Sequence, residues 1–302
     1  MEIGRLLTAM VTPFDSEGQV DYEQARRLAL ALLNSGSDGL VIAGTTGEAP
    51  TLTSEEKLRL FTEVKSAVGD RGTVLAGTST YNTAESVELS REAARTGVDG
   101  LLLTTPYYSK PPQEGLFRHF EAIAAAVSIP CIIYNIPGRT AVNVTADTQL
   151  RIARIPNIIG VKEASGDLDQ IARLIEEAPE YRVWSGDDQL TLPILSLGGY
   201  GCICVVSHLV GLQMRDLIQA HVDGRVDEAA RIHRRLLPLM KTLMTAAGNP
   251  VPVKYALNTL GFPVGGWRLP LCEPDADSAA KVDALLRSTT IDLPLPAKQR
   301  PA

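Results

Sequence analysis

The chain has 302 residues, 45% hydrophobic and 21% charged, a composition that suits a globular protein with ample apolar content for a large core. A formal net charge of −6 argues against nucleic acid or an anionic membrane as the main partner. No apolar run reaches the roughly eighteen residues that a membrane span requires, and MEIGRLLTAMVTPF carries no signal-peptide pattern. The four cysteines include Cys202 and Cys204, an i, i+2 pair in a strand-like run, and no C-x-x-C or histidine-rich spacing suggests a metal. The expectation is a reduced, cytoplasmic protein with no structural metal.

In chain order, the strand candidates are LLTAMVTPF (6–14), GLVIAGTTG (39–47), TVLAGTS (73–79), GLLLTTPYY (100–108), CIIYNIP (131–137), IIGVKEAS (158–165), YRVWSGDD (181–188) and GCICVVSHL (201–209). They are continuous apolar runs rather than alternating ones, which suits strands covered on both faces, as in parallel sheets. The intervals between them read as helices with start signals: Asp21, Thr53 with Glu56, Asn82 with Glu85, and Asp167 with Gln170. GSDGLVIAG from Gly36 is nearly repeated by GVDGLLLTT from Gly97, about two strand–helix units later. Eight such units predict an α/β fold, a (β/α)8 TIM barrel, over 1–224. An open doubly wound sheet is the alternative, though no nucleotide-binding glycine pattern supports it. Three further helices are expected over 225–244, 249–261 and 275–287, making a C-terminal helical region of 225–290. The proline-rich tail 291–302 reads as extended or disordered. Arg231, Arg234 and Arg235 lie on a predicted helix and read as a solvated face.

In such a barrel the active site lies at the C-terminal ends of the strands. The residues there are Thr45-Thr46, Tyr107-Tyr108, Tyr134, Lys162, Gly186-Asp187 and the region of Ile203, several of them polar where the pattern calls for core. Lys162 stands in an apolar run. Taken alone, it fits either a solvated or Glu163-paired lysine, or an amine whose burial lowers its pKa and makes it a nucleophile toward carbonyls. Strand alternation points Glu163 away from Lys162, which weakens the ion-pair reading. Tyr134 ends the preceding strand, where a phenol can exchange protons with the reacting groups or serve as a core tyrosine. Thr46 offers a hydroxyl for proton transfer or for helix capping. Arg139, on the loop above the barrel, has the donor fork that grips carboxylates, as a surface arginine also would.

YNIPGRT (134–140), GTTGEAPTLT (44–53), PYYSKP (106–111) and GVKEASGD (160–167) resemble the motifs of the 4-hydroxy-tetrahydrodipicolinate synthase (dihydrodipicolinate synthase) family, and the likeness runs from about Leu6 to Arg287. GTTGE and the lysine motif are shared with other pyruvate-dependent lyases, whereas the Tyr-Asn-x-Pro-Gly-Arg-Thr run is much more specific to the synthase branch. The resemblance implies that Lys162 forms a Schiff base with pyruvate and that Tyr134, Thr46 and Tyr108 relay protons, Tyr108 reaching into a neighbouring subunit. It implies that Thr45 and Thr46 hold the pyruvate carboxylate, aided by backbone around Gly186 and Ile203, and that Arg139 holds the carboxylate of aspartate semialdehyde. A homotetramer built as a dimer of dimers follows from the same resemblance, with no cofactor. In feedback-inhibited members, free lysine binds at positions that match Pro50, Ser54, Lys57, Tyr81, Glu85 and Tyr107. Ser54 and Lys57 supply no imidazole or aromatic contact, and Lys57 adds a like charge, so weak or absent inhibition by lysine is expected. Two other readings stand beside this one: a sugar-acid lyase, which needs more hydroxyl-binding groups than Gly138-Arg139 provide, and a non-catalytic metabolite-binding relative, in which Lys162, Tyr134 or Arg139 would be lost.

Overall fold

A computed structural model of the chain describes residues 2–295. Eight parallel strands close on themselves in sequence order: β1 (Leu6–Ala9), β2 (Gly39–Ile42), β3 (Thr73–Gly77), β4 (Gly100–Thr104), β5 (Cys131–Asn135), β6 (Ile158–Glu163), β7 (Arg182–Ser185) and β8 (Gly201–Cys204). The barrel helices are α1 (Tyr22–Asn34), α2 (Ser54–Val68), α3 (Thr83–Arg95), α4 (Gln113–Ala124), α5 (Pro137–Thr140), α6 (Ala146–Ile152), α7 (Leu168–Glu177), α8 (Thr191–Ser196) and α9 (Ser207–Val222). Beyond them come α10 (Val226–Thr245), α11 (Val251–Thr259) and α12 (Ala276–Ser288). Among the described residues no helix is long and apolar enough to cross a membrane, and Cys131, Cys202, Cys204 and Cys272 are free thiols.

The helix starts follow from their caps. Thr53 and Glu56 form a reciprocal capping box at α2, and Asp21 and Asp167 accept from the backbone N–H of Gln24 and Gln170. The Gln170 side chain does not reach back to its cap; it joins a buried polar network with Asn143 and Val144.

Each strand candidate begins at or within a residue of an observed strand and overruns its C-terminal end. The predicted strand 6–14 stops at Ala9, and the predicted strand 201–209 stops at Cys204 before α9 starts at Ser207. The overrun has a physical cause. The segments after the strands fold over the barrel mouth and are themselves buried, as at Val11, Phe14, Val205, Val206 and Leu209, so they carry apolar residues without being strand. Thr45, Thr46, Tyr107, Tyr108 and Gly186 therefore sit on loops, while Tyr134, Lys162 and Ile203 sit on strands.

Two apolar layers divide the molecule. Leu7, Val41, Leu75, Leu102, Ile132, Tyr134, Trp184 and Ile203 fill the barrel, and a larger layer joins the outer sheet face to the helices. The C-terminal region packs back onto the mouth. Lys254 of α11 donates to Glu48, which follows GTTG, at 2.8 Å, with both side chains fully buried. The N–H of Arg268 donates to the second Glu48 oxygen at 3.1 Å, and the Phe14 ring lies beneath both cations. In the tail, the N–H of Asp292 donates to Leu209 O, and Leu293 is buried, so 291–295 are docked rather than free. The rest of the predicted tail, 296–302, lies outside the described residues.

Candidate active site

The placement of Lys162 depends on one irregularity between β5 and β6. Cys131 pairs with Ile158, but Ile132 pairs with Gly160, leaving Ile159 as an extra residue on β6. A bulge of this kind flips the facing of everything after it. Val161 accordingly joins the outer layer, and Lys162 turns into the barrel mouth on the same rung as Tyr134. Gly160 makes the bulge possible: a Cβ there would stand 2.1 Å from Arg182 O and 2.8 Å from Trp184 Cζ3.

Lys162 is 5% exposed, and its Nζ lies 4.3 Å from the centroid of the Tyr134 ring. Among the described residues the ammonium has no ion-pair or hydrogen-bond partner. Burial pushes its pKa down to about 8, against the pull of the Asp188 carboxylate. The Glu163 pairing left open by sequence is absent, because the Glu163 carboxylate faces the opposite side of the wall and accepts from Asn135, Gln149 and Ser165. Burial holds the Tyr134 phenol well above its ordinary range, so it stays protonated and can give a proton. Gly186 lies against the lysine stem, where a Cβ would come 2.9 Å from Lys162 Cγ. Ile203 is inside the barrel on β8.

The loop after β2 brings both threonines to the mouth, in different surroundings. Thr46 is buried, and its hydroxyl accepts from Asn249 Nδ2 at 2.9 Å, whereas Thr45 lines the open cavity. Arg139 sits on the short helix α5 rather than on a loop, and its Nη2 donates to Asn249 O at 3.1 Å. Asn249 thus bridges Thr46 and Arg139 from outside the barrel.

A cavity of about 550 Å³ runs from Thr45, Thr140 and Arg139 to Lys57, Tyr81, Glu85 and Tyr107. Tyr81 and Tyr107 meet edge to face at 5.2 Å. Pro50 and Lys57 also line this cavity, but Ser54 is exposed at the start of α2 and stands apart from it. Lys57 is buried, which lowers its pKa. Tyr108 is 90% exposed with a left-handed backbone (φ 71°) and does not line the cavity.

Asp188 was not singled out by sequence. It is buried, accepts from the N–H groups of Val205 and Val206, and is pushed up to about 6 by burial. It stands with Cys202 and Cys204 in a cluster whose donor atoms lie within 4.8 Å of one another. Those atoms are engaged elsewhere: Cys202 Sγ accepts from Thr191 and Cys204 Sγ donates to Ser207.

A profile of the Dihydrodipicolinate synthetase family matches residues 2–289. A 4-hydroxy-tetrahydrodipicolinate synthase from Dehalococcoides mccartyi (strain CBDB1) is 55% identical over 295 residues, 97% of this chain and 99% of the relative. Among solved structures, a dihydrodipicolinate synthase from Bacillus anthracis superposes with a TM-score of 0.93 at 40% identity, covering 96% of this chain and 99% of that one. The Cyanidioschyzon merolae enzyme, solved with lysine bound, also reaches 0.93, at 46% identity, covering 95% of this chain and 98% of its own.

Proposed function

The chain belongs to the dihydrodipicolinate synthetase family, and from that premise we infer that it is a lyase condensing pyruvate with L-aspartate 4-semialdehyde. The product is 4-hydroxy-tetrahydrodipicolinate, on the route to diaminopimelate and lysine. The observation that carries the reading is a buried Lys162, unpaired among the described residues, on the same barrel rung as a protonated Tyr134.

The residues support the following course. The neutral amine of Lys162 attacks the pyruvate ketone carbon, and the resulting hydroxyl leaves as water with a proton from Tyr134. The protonated imine loses a methyl proton and becomes an enamine. Its carbon attacks the aldehyde of the second substrate, whose carboxylate Arg139 holds through its donor fork. The amine of that substrate then adds to the imine carbon and displaces Lys162, closing the ring and returning the enzyme. Thr45 faces the cavity and suits the pyruvate carboxylate; the Thr46 hydroxyl, held by Asn249, belongs to the proton relay.

Tyr108 acts in a neighbouring subunit, within a homotetramer built as a dimer of dimers. Its 90% exposure, together with 58% for Tyr81, supports a surface covered by a second copy. The chain acts in the cytoplasm. Lysine binds weakly to the Tyr81–Glu85–Tyr107 end of the cavity, because Lys57 places a like charge there; half-inhibition at micromolar lysine would contradict this. The substrate assignment is tested by initial rates with pyruvate plus aspartate semialdehyde against pyruvate plus N-acetylmannosamine. Faster turnover of the sugar would overturn it.

A further inference from the structure

Behind the catalytic wall lies a polar network that the reaction itself does not use. Glu163, Asn135 and Gln149 are all fully buried. The two Glu163 oxygens accept four hydrogen bonds: Asn135 Nδ2 at 3.1 and 3.0 Å, Gln149 Nε2 at 2.9 Å and the Ser165 N–H at 2.7 Å. Every donor is neutral. Asn135 is anchored in turn, accepting from the Val144 N–H at 3.0 Å and donating to Asn143 Oδ1 at 2.7 Å.

The position of this pair in the sheet gives it significance. Tyr134 pairs with Lys162 on one rung, and Asn135 pairs with Glu163 on the next. The first rung faces the mouth and the second faces the helices. The bulge at Ile158–Gly160 sets the facing of the rest of β6, and a shift by one residue would turn Lys162 out of the mouth. A buried carboxylate must be fully hydrogen-bonded to be tolerated, and Glu163 meets that need only in the register that points Lys162 inward.

We propose that Glu163 and Asn135 are a positioning pair for the condensation, holding the nucleophile on β6 and the proton donor on β5 in one register from the outer face of the barrel wall. The proposal rests on the Schiff-base reading of Lys162. Neither residue touches substrate. A displacement of the nucleophile by about 1 Å costs on the order of 100-fold in the chemical step, while the groups that bind pyruvate stay where they are.

The test is an exchange of partners. Glu163→Gln sets an amide donor against the Asn135 amide, and Asn135→Asp sets carboxylate against carboxylate. The double variant Asn135→Asp/Glu163→Gln restores one carboxylate facing one amide. The readouts are kcat, KM for pyruvate, and the rate at which borohydride traps pyruvate on Lys162 in the full chain. Each single variant is expected to lose at least about tenfold in kcat and in trapping rate with pyruvate KM within about threefold, and the double variant to recover most of the loss. If a single variant does not fold, a folded, active double variant supports the pair. Single variants with wild-type kcat, or losses that multiply in the double variant, overturn it. A wild-type chain that traps no pyruvate would instead overturn the Schiff-base reading, so the two failures are distinguishable.

Discussion

Replacing Gly160 by alanine attacks the bulge that aims Lys162. The added Cβ would lie 2.1 Å from Arg182 O, a backbone atom on the paired strand, and 2.8 Å from Trp184 Cζ3. An ordinary carbon–oxygen contact is about 3.3 Å, so β6 and β7 must part by roughly 1 Å, and no side chain at Arg182 can rotate to relieve it. Overpacking of this kind costs about 1–3 kcal/mol, more when backbone must move, and the expected loss is at the upper end, about 3 kcal/mol. The same shift carries Lys162 from its place over Tyr134, for which roughly 100-fold in kcat is expected. Urea denaturation at fixed protein concentration and steady-state rates measure the two effects. Gly266→Ala is the control, since its Cβ would meet nothing within 4 Å, and its stability should stay within about 0.5 kcal/mol of wild type. A Gly160→Ala chain with wild-type urea midpoint and kcat would refute the argument.

Lys254→Ala leaves the fully buried Glu48 carboxylate without its cation, for which about 3–5 kcal/mol of destabilisation is expected by urea titration; Glu48→Gln/Lys254→Met should recover part of it, and a single variant as stable as wild type would show that the pair contributes nothing. His119 and His208 are both buried, and burial pushes each down to about 4. Unfolded histidine binds a proton below about 6.5, so the two histidines lower stability as pH drops from 6.5 to 4, by up to about 3 kcal/mol each, a loss that Asp188, raised to about 6 and of opposite sign, offsets only in part. Denaturant midpoints at pH 7 and pH 4.5 check this, and equal midpoints would contradict it.

The barrel was legible because parallel strands buried on both faces announce themselves as apolar runs, and the helix starts because Asp21, Thr53, Asn82 and Asp167 cap them in the structure. The strand ends were not, since the mouth loops are as buried as the strands they follow. Lys162, Tyr134 and Arg139 were visible as polar residues at strand ends or just beyond. Asn249 and Lys254 were not, because they reach Thr46 and Glu48 from a turn and a helix far along the chain, a proximity created only by folding. The bulge at Ile158–Gly160 was equally hidden: an extra residue within an apolar run leaves no break in the pattern, although Gly160 was its one sequence trace. Asp188 is hidden in the sequence because its buried partners are backbone N–H groups, which no side-chain motif reveals.

The proposed mechanism depends on Lys162 as a nucleophile made so by burial. Borohydride added to the chain with pyruvate, followed by peptide mapping as a function of pH, tests it directly. A single reduced pyruvate adduct on Lys162 is expected, its rate of formation rising with pH around a midpoint near 8, as the amine loses its proton. An adduct on another lysine, no adduct, or a midpoint near the ordinary lysine value of about 10.4 would contradict it.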